Sequence, residues 1–181
     1  MDKLLKALPD LLVKQANLDS YIMDKRGITD VDTIIEQRML AFAVELCECA
    51  NEWQRFKYWK ENNHPRTEVL NEHGEVTNPL LEEYVDVLHF ALSIHNYHEG
   101  DTYTTKLIVD SFQDYMSETN QPIVTLFRET LECNAHSTWM YGRTLANTLV
   151  LGNWLGLSED DILAEYDRKY QENIHRQVRG Y

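Results

Sequence analysis

Two pairs of carboxylates have the spacing of a metal site. Glu45 and Glu48 lie three residues apart in FAVELCECANEW, and Glu83 and Asp86 three apart in EEYVDVLHF. On a helix, residues at i and i+3 share a face. At about 100° per residue, each pair starts at the border of its segment's apolar arc and runs away from it, which suits a cleft between helices. Like charges so spaced repel by roughly a few tenths of a kcal/mol, and partial burial adds a desolvation cost. Two such pairs brought together need a compensating cation. Oxygen donors without His or Cys suit Mg²⁺ or Mn²⁺ rather than zinc or iron. Either pair alone is better explained as a solvated face of an acidic protein. Two of them, each bordering the core arc of a well-defined helix, favour the metal. Relief of the repulsion then predicts that Glu48→Gln or Asp86→Asn folds at least as well as the parent without metal. Glu52 and Glu82, beside the pairs, read as surface residues.

A second constellation lies in EYDRKYQENIHRQVRGY, where Lys169, Asn173 and Arg176 fall at i, i+4 and i+7. Two cations and an amide on one helix stripe are what polyphosphate oxygens require. A basic last turn complementing the helix dipole explains the stripe more plainly when it is taken alone. Lys57 and Lys60, after the first acidic pair, carry the same two readings. Trp53, Phe56, Trp59 and Phe90 read as core aromatics, with Phe90 near the Glu83/Asp86 margin. The chain has no glycine-rich phosphate loop, HExxH motif or Ser-His-Asp order.

The elements that must hold these groups are helical. A short leading helix with Pro9 precedes a second stretch over 10–23, and Gly27 breaks the chain before a cap at Thr29 or Asp30. The next helix, about 31–60, carries Ile35, Met39, Phe42, Leu46, Cys49, Trp53 and Phe56 at alternating spacings of four and three, a buried stripe. Residues 61–78 are polar, with Pro65 and Gly74, and read as a partly structured connection. Asn78-Pro79 opens a helix to about His98. That helix is apolar nearly all round, more than a small monomeric bundle needs, which predicts a homodimer. Residues 100–120 are ambiguous and lean to helix. A further helical stretch covers about 122–150, ending at Gly152 and Gly156, and a Ser158–Asp161 capping box starts a last helix to about 176. With no repeat or low-complexity tract, 1–181 reads as a single all-α bundle domain.

Composition bounds the rest. The 181 residues fit one domain, and 43% apolar residues suffice for a core. Seven glycines and four prolines are few for an all-β chain. A net charge of −13 argues against nucleic acid as a partner, because phosphate backbones need a basic field. Cys47, Cys49 and Cys133 form no CxxC pair, so reduced thiols in a cytoplasmic protein are expected. MDKLLKALPDLLVKQ lacks the apolar core of a signal peptide, and no apolar run approaches the ~20 residues that span a bilayer.

The order ELCECANEWQRFKYWK, EEYVDVLHFALS, KYQENIHRQVRGY resembles the dimeric, all-α dUTPases of some bacteria, phages and trypanosomatids, relatives of the MazG-type nucleotide pyrophosphohydrolases. The likeness runs from about Gln15 to Tyr181. An ExxE with an ExxD is a superfamily pattern; its combination with ANEW..FK.WK, D..HF and N..RQ..GY is specific. The resemblance implies that Glu45, Glu48, Glu83 and Asp86 hold Mg²⁺ on the triphosphate. It implies that Lys57, Lys169, Asn173, Arg176 and Tyr181 contact or close over phosphates. Gln15 would help read the uracil edge with Asp19 beside it, and Phe90 would pack on the deoxyribose and disfavour a 2′-hydroxyl. Two positions depart from the pattern: Asp19 stands where some members have asparagine, and Tyr170 where asparagine often follows the lysine.

The implied reaction is Mg²⁺-dependent hydrolysis of dUTP, and of dUDP, to dUMP. A glutamate of the first pair, Glu45 or Glu48, would act on the water as general base, and Lys and Arg would stabilise charge on the leaving group. Two alternatives stand beside it. One is the same fold and chemistry on another nucleotide such as dCTP; the other is a non-catalytic helical interaction protein.

Overall fold

Proline at position 9 does not end the first helix. In the computed structural model, which describes residues 2–97, 110, 122–133 and 138–180, helix α1 runs unbroken over Asp2–Arg26. The expected division into a leading helix and a second one over 10–23 is absent. Pro9 removes an N–H from the ladder and crowds the carbonyl four residues back. Leu4, Leu8, Leu11 and Leu18 are nonetheless all buried along the helix. At roughly 1.5–3 kcal/mol per buried side chain, that packing outweighs the local loss.

Helix α2 spans Val31–Trp53, with the Asp30 carboxylate accepting the Thr33 N–H at 3.1 Å as its cap. Ile35, Phe42, Leu46, Cys49 and Trp53 form the buried stripe. The helix stops well short of residue 60. Gln54 turns left-handed at φ 59°, and its N–H closes on the Ala50 carbonyl. Phe56 still packs half-buried against the core, whereas Trp59 is 63% exposed and not a core residue. The 61–78 connection carries a small antiparallel hairpin, β1 (Val69–Leu70) with β2 (Val76–Thr77), Val69 facing Thr77. In its turn the Asn71 side-chain carbonyl accepts the N–H groups of His73 and Glu75, each at 2.9 Å.

Helix α3, Pro79–Tyr97, is capped by Asn78, whose side chain accepts the Leu81 N–H at 3.0 Å. It is the central rod of the fold, packed by α1, by α2 and by the helices over Thr138–Trp154 and Glu159–Arg179. Its apolar circumference is therefore consumed within one chain, which removes that reason for expecting a dimer.

The helical stretch over about 122–150 carries two helices among the described residues, α4 (Ile123–Cys133) and α5 (Thr138–Trp154), packed on each other. Gly152 lies inside α5 and is not its terminator. A Cβ there would sit 2.4 Å from the ring of Tyr84, whose hydroxyl donates to the Thr148 carbonyl at 3.1 Å. Helix α6, Glu159–Arg179, begins at the expected cap: Ser158 Oγ accepts the Asp161 N–H at 3.1 Å and donates to its carboxylate at 2.6 Å. The expected helix over 100–120 lies outside the described residues apart from Asp110. Apart from the hairpin, the described elements are all helical, and the fold is all-α.

Candidate active site

Packing of α2 along α3 brings Glu45 beside Glu83 and Asp86. One carboxylate oxygen from each lies within 4.8 Å of the others, and all three side chains are half-buried. Burial first, then the charges of Asp86 and Glu48, pushes the Glu45 carboxyl up to about 7. Glu83 rises to about 7 as well, mainly through burial, against the attraction of Lys169. Asp86 is also raised by burial, although Lys169 opposes the shift through a hydrogen bond and its charge. Lys169, from α6, forms an ion pair with Asp86 in which the side chains are 13% and 27% exposed. The protein thus carries one cation among these carboxylates already. Lys169, whose charge also acts on Glu45 and Glu83, offsets part of the cost that Asp86→Asn is expected to relieve. Glu48 is exposed and outside the close triad, near enough to raise both glutamates.

A cavity of about 410 Å³ opens from this cluster between α1, α2, α3 and α6. Glu45, Asp86, Asn173 and Arg176 line one part of it; Gln15, Asp19, Arg38 and Ser93 line another. Arg38 precedes Glu45 on α2, and Ser93 follows Asp86 on α3, each by two helical turns, about 10 Å of rise. Phe90, half-buried, lines the wall between. Lys169, Glu172, Asn173 and Arg176 also surround a recess of about 40 Å³ at Asp86, with Arg176 donating to Glu172 at 2.5 Å.

The distal end is a polar network inside the bundle. Gln15, 4% exposed, donates from Nε2 to Asp19 at 2.8 Å, and its Oε1 accepts the Tyr166 hydroxyl at 3.0 Å. His89 Nδ1 lies 2.7 Å from the same Oε1. Ser93 donates to the other Asp19 oxygen at 2.6 Å, and Arg38 pairs with it at 3.4 Å. His89 stacks on Tyr166 with ring centroids 4.1 Å apart. Burial drives its pKa down to about 3, so the ring is neutral.

The dUTPase family model matches residues 7–181, nearly the whole chain. The chain belongs to the dUTPase family. Its activity is that of a dUTP diphosphatase, which splits dUTP into dUMP and pyrophosphate. No curated protein matches the chain.

In this dUTPase the cavity gathers Gln15, Asp19, Glu45, Asp86, Phe90, Asn173 and Arg176 from the residues singled out in the sequence, with Glu83 and Lys169 against the acidic end. Lys57 is not among its lining residues; its Nζ donates to the Asn51 carbonyl at 3.3 Å, beyond the end of α2. Tyr181 lies outside the described residues. Tyr170 packs partly buried against the core. Sequence reasoning missed Arg38, His89, Ser93 and Tyr166. His89 stood in the D..HF pattern as an unassigned letter; the other three carried no local signal, because their partners come from distant segments.

Proposed function

We propose that this dUTPase uses Mg²⁺ held by Glu45, Glu83, Asp86 and Glu48, and that it hydrolyses dUDP as well as dUTP. The observation that carries the metal assignment is the close triad of Glu45, Glu83 and Asp86. Its donors are all carboxylate oxygens, which suits Mg²⁺ or Mn²⁺. With two of the carboxyls pushed up to about 7, the cluster favours any ligand that brings positive charge. Rotation of the exposed Glu48 side chain would add the fourth carboxylate. When bound, the metal supplies positive charge to the phosphates and makes water a stronger acid.

The chain's own groups divide the remaining work. Glu45 or Glu48 takes the proton of the attacking water. Lys169, Asn173 and Arg176 face the phosphates from α6 and offset charge growing on the leaving group. Gln15 and Asp19 meet the base, and Phe90 lies against the deoxyribose, where a 2′-hydroxyl fits poorly. Lys57, Tyr181 and the dUDP activity enter through the family resemblance alone.

Three broader features belong to the same proposal. Residues 1–181 form one domain, supported by a single buried cluster drawn from all six described helices. The enzyme is a homodimer, supported by the resemblance and by Leu40 and Val44, which are 68% and 47% exposed one turn apart on α2. Light scattering should give twice the 21.3 kDa chain mass. The setting is cytoplasmic, supported by Cys49 kept as a buried free thiol. No helix among the described residues is long and apolar enough to cross a membrane.

The test is pyrophosphate release from dUTP, dCTP, dTTP and UTP with and without Mg²⁺. Strong, Mg²⁺-dependent preference for dUTP is expected. Comparable rates on all four would contradict the base and sugar assignments, and full activity in a chelator would contradict the metal.

A further inference from the structure

The carboxamide of Gln15 can make four hydrogen bonds, two accepted at Oε1 and two donated from Nε2. The fold uses three of them. Tyr166 and His89 both converge on Oε1, at 3.0 and 2.7 Å, and Asp19 accepts one N–H at 2.8 Å. The amide cannot be turned over at equal cost, because its carbonyl would then face the Asp19 carboxylate. Asp19 is itself fixed as an acceptor, since Ser93 and Arg38 both direct donors at its second oxygen. Tyr166 has a weaker alternative acceptor in the Leu11 carbonyl, at 3.5 Å. What is left of Gln15 for a ligand is one N–H, on a residue that lines the cavity.

We propose that Tyr166 and His89 are positioning residues for base selection, which by holding Oε1 oblige Gln15 to offer the base an N–H and not a carbonyl. This rests on the proposal that Gln15 meets the base. A base carbonyl, as in uracil, completes the amide's fourth bond. The exocyclic amino group of cytosine sets N–H against N–H and leaves both buried and unpaired. A site of that kind can reject the mismatched partner by orders of magnitude. Thymine has the same edge as uracil, so this device discriminates dUTP from dCTP and not from dTTP.

Tyr166→Phe removes one hydroxyl and keeps the ring stacked on His89. The expected result is a fall of at least tenfold in the ratio of kcat/KM for dUTP over dCTP, carried more by the KM for dUTP than by kcat. In a Gln15→Ala background, adding Tyr166→Phe should lower that ratio no further, a coupling that a purely structural tyrosine would not produce. If Tyr166→Phe does not fold, His89→Asn and His89→Leu replace it. Asparagine can place an N–H where Nδ1 stands and should retain more of the selectivity than leucine. An unchanged ratio in Tyr166→Phe, an equal loss on both nucleotides, or a full further loss in the Gln15→Ala background would overturn the inference. A parent enzyme with no preference for dUTP would instead overturn the base assignment on which it rests.

Discussion

At the Glu45 end of the cavity, three half-buried carboxylates crowd together, with Lys169 paired to one of them. At the Gln15 end, amide, carboxylate, hydroxyl and imidazole groups bond one another, leaving one Gln15 N–H and the buried His89 Nε2 without a partner among the described residues. Both ends hold polar groups away from water, yet their electrostatics have opposite signs of outcome. At the acidic end burial, with the neighbouring carboxylates, disfavours the charged forms, which under the proposed reading a cation would offset. At the amide end hydrogen bonds hold the groups of Gln15, Asp19, Tyr166 and Ser93, and under the proposed reading selection comes from the pattern of donors and acceptors left to a ligand. The proposed function thereby divides strength and selectivity between different residues of one cavity.

The largest effect expected is on turnover when the acidic end is broken. Asp86→Asn should lower kcat on dUTP by about 10²–10³ or more, as loss of a key electrostatic group commonly does. Its metal-free melting temperature should not fall below the parent's, because burial disfavours the Asp86 charge and Lys169 keeps Glu45 and Glu83 nearby. Next in size is the metal's effect on stability. Mg²⁺ at a hundred times its dissociation constant should stabilise the parent by about 2.7 kcal/mol, a rise of several degrees in a thermal melt, and Glu83→Gln should lose most of it.

Smaller, and diagnostic by its sign, is the pH response without metal. The raised carboxyls, near 7 against an ordinary 4.5, contribute stability that is present below about 4.5 and lost as pH rises toward 7. Urea midpoints should therefore show Glu83→Gln gaining on the parent across that window. His89, near 3 against 6.5, acts the other way: its contribution is present above 6.5 and lost as pH falls toward 3. A parent and Glu83→Gln that track each other from pH 4.5 to 7 would remove the disfavoured Glu83 charge from the account.

The acidic end was legible in the sequence because helical periodicity alone puts Glu45 and the Glu83/Asp86 pair on the margins of apolar stripes. What it could not give is the Lys169 ion pair, which depends on how α6 crosses α3. Caps with local signals, at Asp30, Asn78 and Ser158, were readable for the same reason. Where tertiary contact decides, local rules failed. Pro9 stays helical because α1 is buried along its length. Gly152 serves the Tyr84 ring and not a helix end. Gln54 ends α2 in a left-handed conformation that a non-glycine residue does not advertise. The Gln15 network was the least legible part, since its members come from four helices and none is unusual in its own segment.

The division of labour between the two ends is tested most directly by titrating a non-hydrolysable dUTP analogue and its dCTP counterpart, with and without Mg²⁺, into the parent, Glu83→Gln and Gln15→Ala. Glu83→Gln should lose most of the Mg²⁺ enhancement and keep the preference for uracil; Gln15→Ala should keep the enhancement and lose the preference. If either variant lost both together, the two ends would not be separate devices and the account would be wrong.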